Sequence, residues 1–253
     1  MSNPRIEPIE TARRIFRERY VGARVLFLAG SVVRGDATPT SDLDIVVVYE
    51  RLPNAYREAF TCEGWPVEAF VHDAETVKHY FESDRRRGIP AMMSMVLEGV
   101  EIPEKSELSA ELKRRASEIF GAGPPPLGED EMHLRRYRLT DWVDDIRHPR
   151  SPEELVATGA YLYGDAADFF FRSRNLWSSH SKTIPRRLRE ADAAFAEAFR
   201  RAFDALFVEK NTAPAIALIA ELLAPFGGFL FDGFRKDAPP EDREQPDARS
   251  IQQ

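Results

Sequence analysis

Apolar residues at Ile6, Ile9, Ala12 and Phe16 recur three or four apart among Arg and Glu, which predicts an amphipathic helix over residues 5–20. Two short apolar runs follow, VLFLAG at 25–30 and LDIVVVY at 43–49. Their length and β-branched content suit buried strands. Residues 55–61 alternate weakly, Cys62-Glu63-Gly64-Trp65 is a turn signal, and PVEAFV at 66–71 reads as the returning strand of a hairpin. Asp73 is placed to cap a helix reaching Arg87, with Thr76 in its first turn. Residues 91–98 predict a Met-rich helix closed by Gly99, residues 100–102 a small edge strand, and Ser106 to Phe120 a further helix.

The pattern then changes. The stretch GAGPPPLG at 121–128 reads as a linker, because Gly and Pro sustain neither helix nor sheet there. All that follows is helical in pattern. Residues 129–146 carry apolar Met132, Leu134, Leu139, Trp142 and Val143, and His148-Pro149 ends that helix. Ser151-Pro152-Glu153-Glu154 is a helix start, and Leu155, Gly159, Leu162, Ala166 and Phe169 follow as a stripe. A third helix is predicted from the stripe Leu188, Ala191, Phe195, Ala198, Ala202 and Phe203, and a fourth over 214–224. Phe169, Phe170 and Phe171 read as bundle core, with room for one exposed ring. Such stripes are the seams of an antiparallel bundle. The expected class is α+β: residues 1–122 with a mixed sheet flanked by helices, an all-α bundle over 129–235, and a disordered tail over 236–253.

Composition narrows the function. The chain has 253 residues, 43% of them hydrophobic and 30% charged, with 17 Phe, enough for a substantial core. No apolar window of about 18 residues is present, so no membrane partner is expected. The charged N-terminus predicts no secretion signal. One cysteine, Cys62, allows neither an internal disulfide nor a zinc site built on cysteine pairs. These features predict a cytoplasmic protein. A net charge of −7 disfavours a nucleic-acid partner and suits cationic small molecules.

The informative segment is GSVVRGDATPTSDLD, residues 30–44. A strand ends at Gly30, where a glycine lets backbone approach a ligand, and Ser31 opens a helical turn. Asp42 and Asp44 then stand at i and i+2 at a strand start, so both carboxylates share a face. At about 4 Å and an effective dielectric of about 20 their repulsion is about 4 kcal/mol. A divalent cation reverses that sign, and magnesium suits a few carboxylates plus substrate phosphates. Glu68, in a short apolar strand, is the candidate third carboxylate, because a glutamate there is costly to bury unless paired or metal-bound. Asp73 is its rival, with helix capping as the simpler reading.

Gly30-Ser31, ten residues, then Asp42-Leu43-Asp44, with an acid on a later strand, resembles the signature of the DNA polymerase β-like nucleotidyltransferase superfamily. The layout of an α/β domain followed by a bundle is similar to aminoglycoside nucleotidyltransferases and related bacterial proteins. The resemblance implies that Asp42, Asp44 and Glu68 are catalytic and hold Mg²⁺. It implies that Gly30 and Ser31 contact the nucleotide phosphates, joined by Arg34 and Ser41 from the same loop and by Lys182 from the bundle. ATP, or another NTP, becomes the co-substrate, and NMP passes to a hydroxyl of a small molecule, an aminoglycoside-like cation being one candidate. The alternatives are a regulatory transferase acting on a protein or tRNA, and a non-catalytic nucleotide-binding module. Asp141, Asp144 and Asp145 form an acidic helix face that reads either as solvated surface or as a subsite for a cationic acceptor.

Overall fold

A computed structural model describes residues 5–239. The expected tail lies outside the described residues from 240 onward, and residues 236–239 carry neither helix nor strand. The chain divides into two compact units, Met1–Pro126 with Asn175–Ser178, and Leu127–Arg174 with Ser179–Gln253.

In the first unit the elements run α1 (Pro8–Glu18), β1 (Val25–Ala29), α2 (Ser31–Arg34), β2 (Leu43–Tyr49), β3 (Tyr56–Cys62), β4 (Trp65–Asp73), α3 (Ala74–Arg87), α4 (Ala91–Glu98), β5 (Val100–Ile102) and α5 (Glu107–Ala122). The sheet order is β3-β4-β2-β1-β5, with β2 and β4 parallel and the other pairs antiparallel. The mixed sheet with flanking helices, followed by further helices, is the expected α+β class. The hairpin of β3 and β4 inserts β4 beside β2, so Asp44 comes to lie opposite Glu68.

Both faces of the sheet are covered, which is why its central strands read as unbroken apolar runs. Leu26, Leu28, Ile45, Val47, Ala69 and Val71 pack with Ala12 and Ile15 of α1. On the other face Phe27, Val46 and Val48 pack with Val77 and Phe81 of α3, Met92, Met93 and Val96 of α4, and Leu112 and Ala116 of α5. Local chemistry sets several boundaries. Asp73 accepts from the Thr76 amide at 2.8 Å while Thr76 Oγ1 accepts from the Asp73 amide at 3.0 Å, a reciprocal cap on α3. Asp84, fully buried at the end of α3, accepts from the amides of Met92 and Met93 at 2.7 and 3.1 Å and so caps α4 from another helix. Helix α5 runs to Ala122, two residues into the expected linker, before Gly123 ends it at φ 76°.

His72 on β4 is 3% exposed, opposite Val48, with Thr76 Oγ1 3.3 Å from Nδ1 and the Tyr80 ring edge-on at 4.9 Å. Burial, opposed by the charge of Asp73, pulls its pKa down to about 4. The folded imidazole stays neutral where an unfolded one, titrating at about 6.5, takes up a proton. Stability tied to this group is therefore complete above about pH 6.5 and lost as pH falls towards about 4, by about 3 kcal/mol at most. Urea unfolding midpoints should drop between pH 7 and pH 4.5, and His72→Phe should flatten that slope. An unchanged slope in the variant would refute the assignment.

The second unit comprises α6 (Glu129–Arg147), α7 (Pro152–Arg172), α8 (Ile184–Ala191), α9 (Ala193–Phe207) and α10 (Ala213–Leu223). Their core holds Leu139, Val143, Leu155, Leu162, Phe199, Phe203, Ile219 and Leu223. The single third helix expected across 188–203 is two. Asp192 takes an extended backbone, φ −160° and ψ 103°, and its side chain accepts from the Phe195 amide at 2.9 Å. A residue that caps a new helix interrupts the old one, although the apolar stripe runs on. Phe169, Phe170 and Phe171 are all buried, at 0, 1 and 1% exposure, so none is the exposed ring allowed for. Among the described residues no helix is long and apolar enough to cross a membrane.

Candidate active site

Strand β1 ends at Ala29, opposite Asp44. The next residue, Gly30, has φ 80° and ψ −161°, a region that L side chains rarely adopt. A Cβ placed on Gly30 would lie 2.2 Å from Asp44 Oδ2 and 3.1 Å from its Cγ. Backbone and carboxylate are thus in direct apposition, which only glycine permits. Helix α2 follows at once and closes at Gly35, φ 77°. Ser31 Oγ donates to Ser41 Oγ at 3.0 Å, and Ser41 Oγ accepts from the Thr38 amide at 2.8 Å, drawing the two ends of the loop together. Arg5 donates to the carbonyls of Ser41 and Gly64, both at 3.1 Å, and lies 4.3 Å above the Trp65 ring. Sequence reasoning missed Arg5, which carries no local signal before α1.

Asp42, Asp44 and Glu68 each offer a carboxylate oxygen, all within 4.8 Å of one another, and all three residues are half-buried. Alternation along β2 puts Asp44 on the side of Val46 and Val48, and along β4 puts Glu68 on the side of Phe70. Arg57 of β3 bonds Glu68. Hard oxygen donors at this spacing fit a magnesium ion. The tight seat of Gly30 against Asp44 holds one of those donors where the strands place it.

Of the residues expected at the site, Gly30, Ser31, Ser41, Asp42, Asp44 and Glu68 come from adjoining strand ends and the loop between them. Arg34, at the end of α2, pairs with Glu98 at 3.4 Å and Asp36 at 3.5 Å. Asp73, the rival third acid, is committed elsewhere. Burial would raise its pKa, but the amides of Thr76 and Leu52 hold it below the usual carboxylate value. Lys182 lies exposed in a short 3₁₀ turn, Ser181–Thr183, of the second unit. On α6, Asp141 is half-buried, and burial together with the charges of Asp145 and Asp144 pushes its carboxyl up.

Residues 9–116 match the family model described as a nucleotidyltransferase domain, a span that includes Gly30, Ser31, Asp42, Asp44 and Glu68. No curated protein matches the chain. Among solved structures the chain is similar to a nucleotidyltransferase-like protein from Exiguobacterium sibiricum 255-15, at 14% identity and a TM-score of 0.43, over 85% of this chain and 74% of that one.

Proposed function

We propose that the chain is a magnesium-dependent nucleotidyltransferase that moves NMP, with AMP from ATP as the leading case, to a hydroxyl of a small molecule. The observation that carries this reading is the meeting of three carboxylates beside the Gly30-Ser31 turn, inside the span that matches a nucleotidyltransferase domain. In the reaction the acceptor oxygen attacks the α-phosphorus, the bond from that phosphorus to the bridging oxygen breaks, and pyrophosphate leaves. Bound magnesium would supply charge neutralisation for the phosphates and orient them for in-line displacement. Asp42, Asp44 and Glu68 are the residues that would hold it. Glu68 would serve the acceptor side, where a carboxylate can also take the hydroxyl proton. The amide and hydroxyl of Ser31 and the hydroxyl of Ser41 would hold the phosphates, with Arg34 as a further cationic contact. The net charge of −7 favours a cationic acceptor, with aminoglycoside-like amines as the first compounds to try. Cys62 as the only cysteine suits work in the cytoplasm.

Incubation of the full chain with α-labelled ATP and Mg²⁺, across metabolite and aminoglycoside panels, tests the assignment. Label is expected on a small molecule, with pyrophosphate released. Label on a protein or tRNA would favour a regulatory transferase, and nucleotide binding without transfer a non-catalytic module.

A further inference from the structure

Strands β3 and β4 pair antiparallel with Ala59 opposite Glu68 and Arg57 opposite Phe70, so all four side chains share one side of the sheet. The Ala59 methyl leaves the diagonal between Arg57 and Glu68 open. The Arg57 guanidinium lies 5.0 Å from the centre of the Phe70 ring and bonds Glu68 Oε1 through Nη2. Its side chain is 61% exposed and that of Glu68 29%. A pair that open to solvent adds little to stability. Its electrostatic consequence is larger. The three clustered carboxylates carry a formal −3, and Arg57 brings the group to −2, the charge one divalent cation balances.

We propose that Arg57 is the built-in counter-ion of the carboxylate cluster, relieving its repulsion when no cation is bound and lowering its affinity for a divalent cation. The inference rests on the reading of Asp42, Asp44 and Glu68 as the metal-binding group. Neutralising Arg57 leaves a more negative site, so the cation is held more tightly, while the cation-free protein is left with greater repulsion.

Mn²⁺ titration of the full chain, followed by the loss of the free-ion EPR signal, tests this with wild type, Arg57→Gln, Arg57→Lys and Asp44→Asn. Arg57→Gln should bind Mn²⁺ about three- to tenfold more tightly. Arg57→Lys should stay within about twofold of wild type, because it keeps the charge. The Tm of Arg57→Gln in EDTA should fall, and Mn²⁺ should raise it by more than in wild type. Unchanged or weaker Mn²⁺ binding by Arg57→Gln, in a wild type that binds Mn²⁺ and loses it with Asp44→Asn, would overturn the counter-ion role alone. A wild type that does not bind Mn²⁺, or binds it as well with Asp44→Asn, would defeat the metal-binding reading and the counter-ion role together.

Discussion

Gly30→Ala should abolish nucleotidyl transfer, and Asp44→Asn should abolish it with the fold untouched. The alanine methyl would be built 2.2 Å from Asp44 Oδ2, a separation no real structure tolerates, so carboxylate or backbone must move. The backbone must also hold an alanine at φ 80°, at about 1–3 kcal/mol. Thus Gly30→Ala loses Mn²⁺ affinity, transfer and stability together. Asp44→Asn removes a donor charge and relieves repulsion against Asp42 and Glu68, so its Tm should match or exceed wild type while transfer falls by about 100-fold or more. Label transfer, Mn²⁺ titration and thermal unfolding on the same preparations separate the two routes. Gly30→Ala with wild-type Mn²⁺ affinity and Tm would show that the close approach to Asp44 is unimportant. Asp44→Asn with near-normal turnover would remove Asp44 from the reaction.

What the chain pattern made legible was mostly local. Asp73 with Thr76, Ser106 and Ser151 announce helix starts by chemistry that acts within a few residues, and the structure has caps at all three. That Asp42 and Asp44 meet was legible from their i, i+2 spacing, although β2 itself starts only at Leu43. Strand β4 was legible as well, but its parallel seat beside β2, which brings Glu68 level with Asp44, is a long-range pairing that no window of sequence encodes. Arg57 and Arg5 were illegible for the same reason, since each acts on a residue at least 11 positions away. The break at Asp192 was missed because the apolar stripe continues through it, and periodicity does not register a change of backbone direction. Trp177 follows α7 in the chain, yet the segment Asn175–Ser178 belongs to the first unit, whose main stretch ends 51 positions before the tryptophan at Pro126, and no local pattern marks that return.

That displaced tryptophan carries the other large effect. Trp177 is 6% exposed, stacks on Phe120 with ring centres 5.5 Å apart, and donates Nε1–H to the Phe120 carbonyl at 2.9 Å. The neighbouring Ser178 amide donates to the Gly88 carbonyl at 2.7 Å, tying the segment to the end of α3 as well as to α5. Trp177→Ala empties a site in the core that also holds Phe81, Met93 and Leu112, and should cost about 3–5 kcal/mol. For a unit of this size that is a fall in Tm of roughly 10–20 °C. Trp177→Phe keeps the ring contact, loses the hydrogen bond, and should cost less than half as much. A fragment ending at residue 126 lacks the tryptophan and should show the same deficit, even though it contains β1 to β5 and the carboxylate cluster. The carbonyl of Asn175 lies 3.7 Å from where a Cβ on Gly123 would stand, so a short Gly/Ser linker can join residue 126 to segment 175–178. That fusion should recover most of the lost stability, measured by urea unfolding of the two fragments side by side. Equal stability with and without the segment would mean that the first unit is complete at Pro126 and that Trp177 merely rests on it.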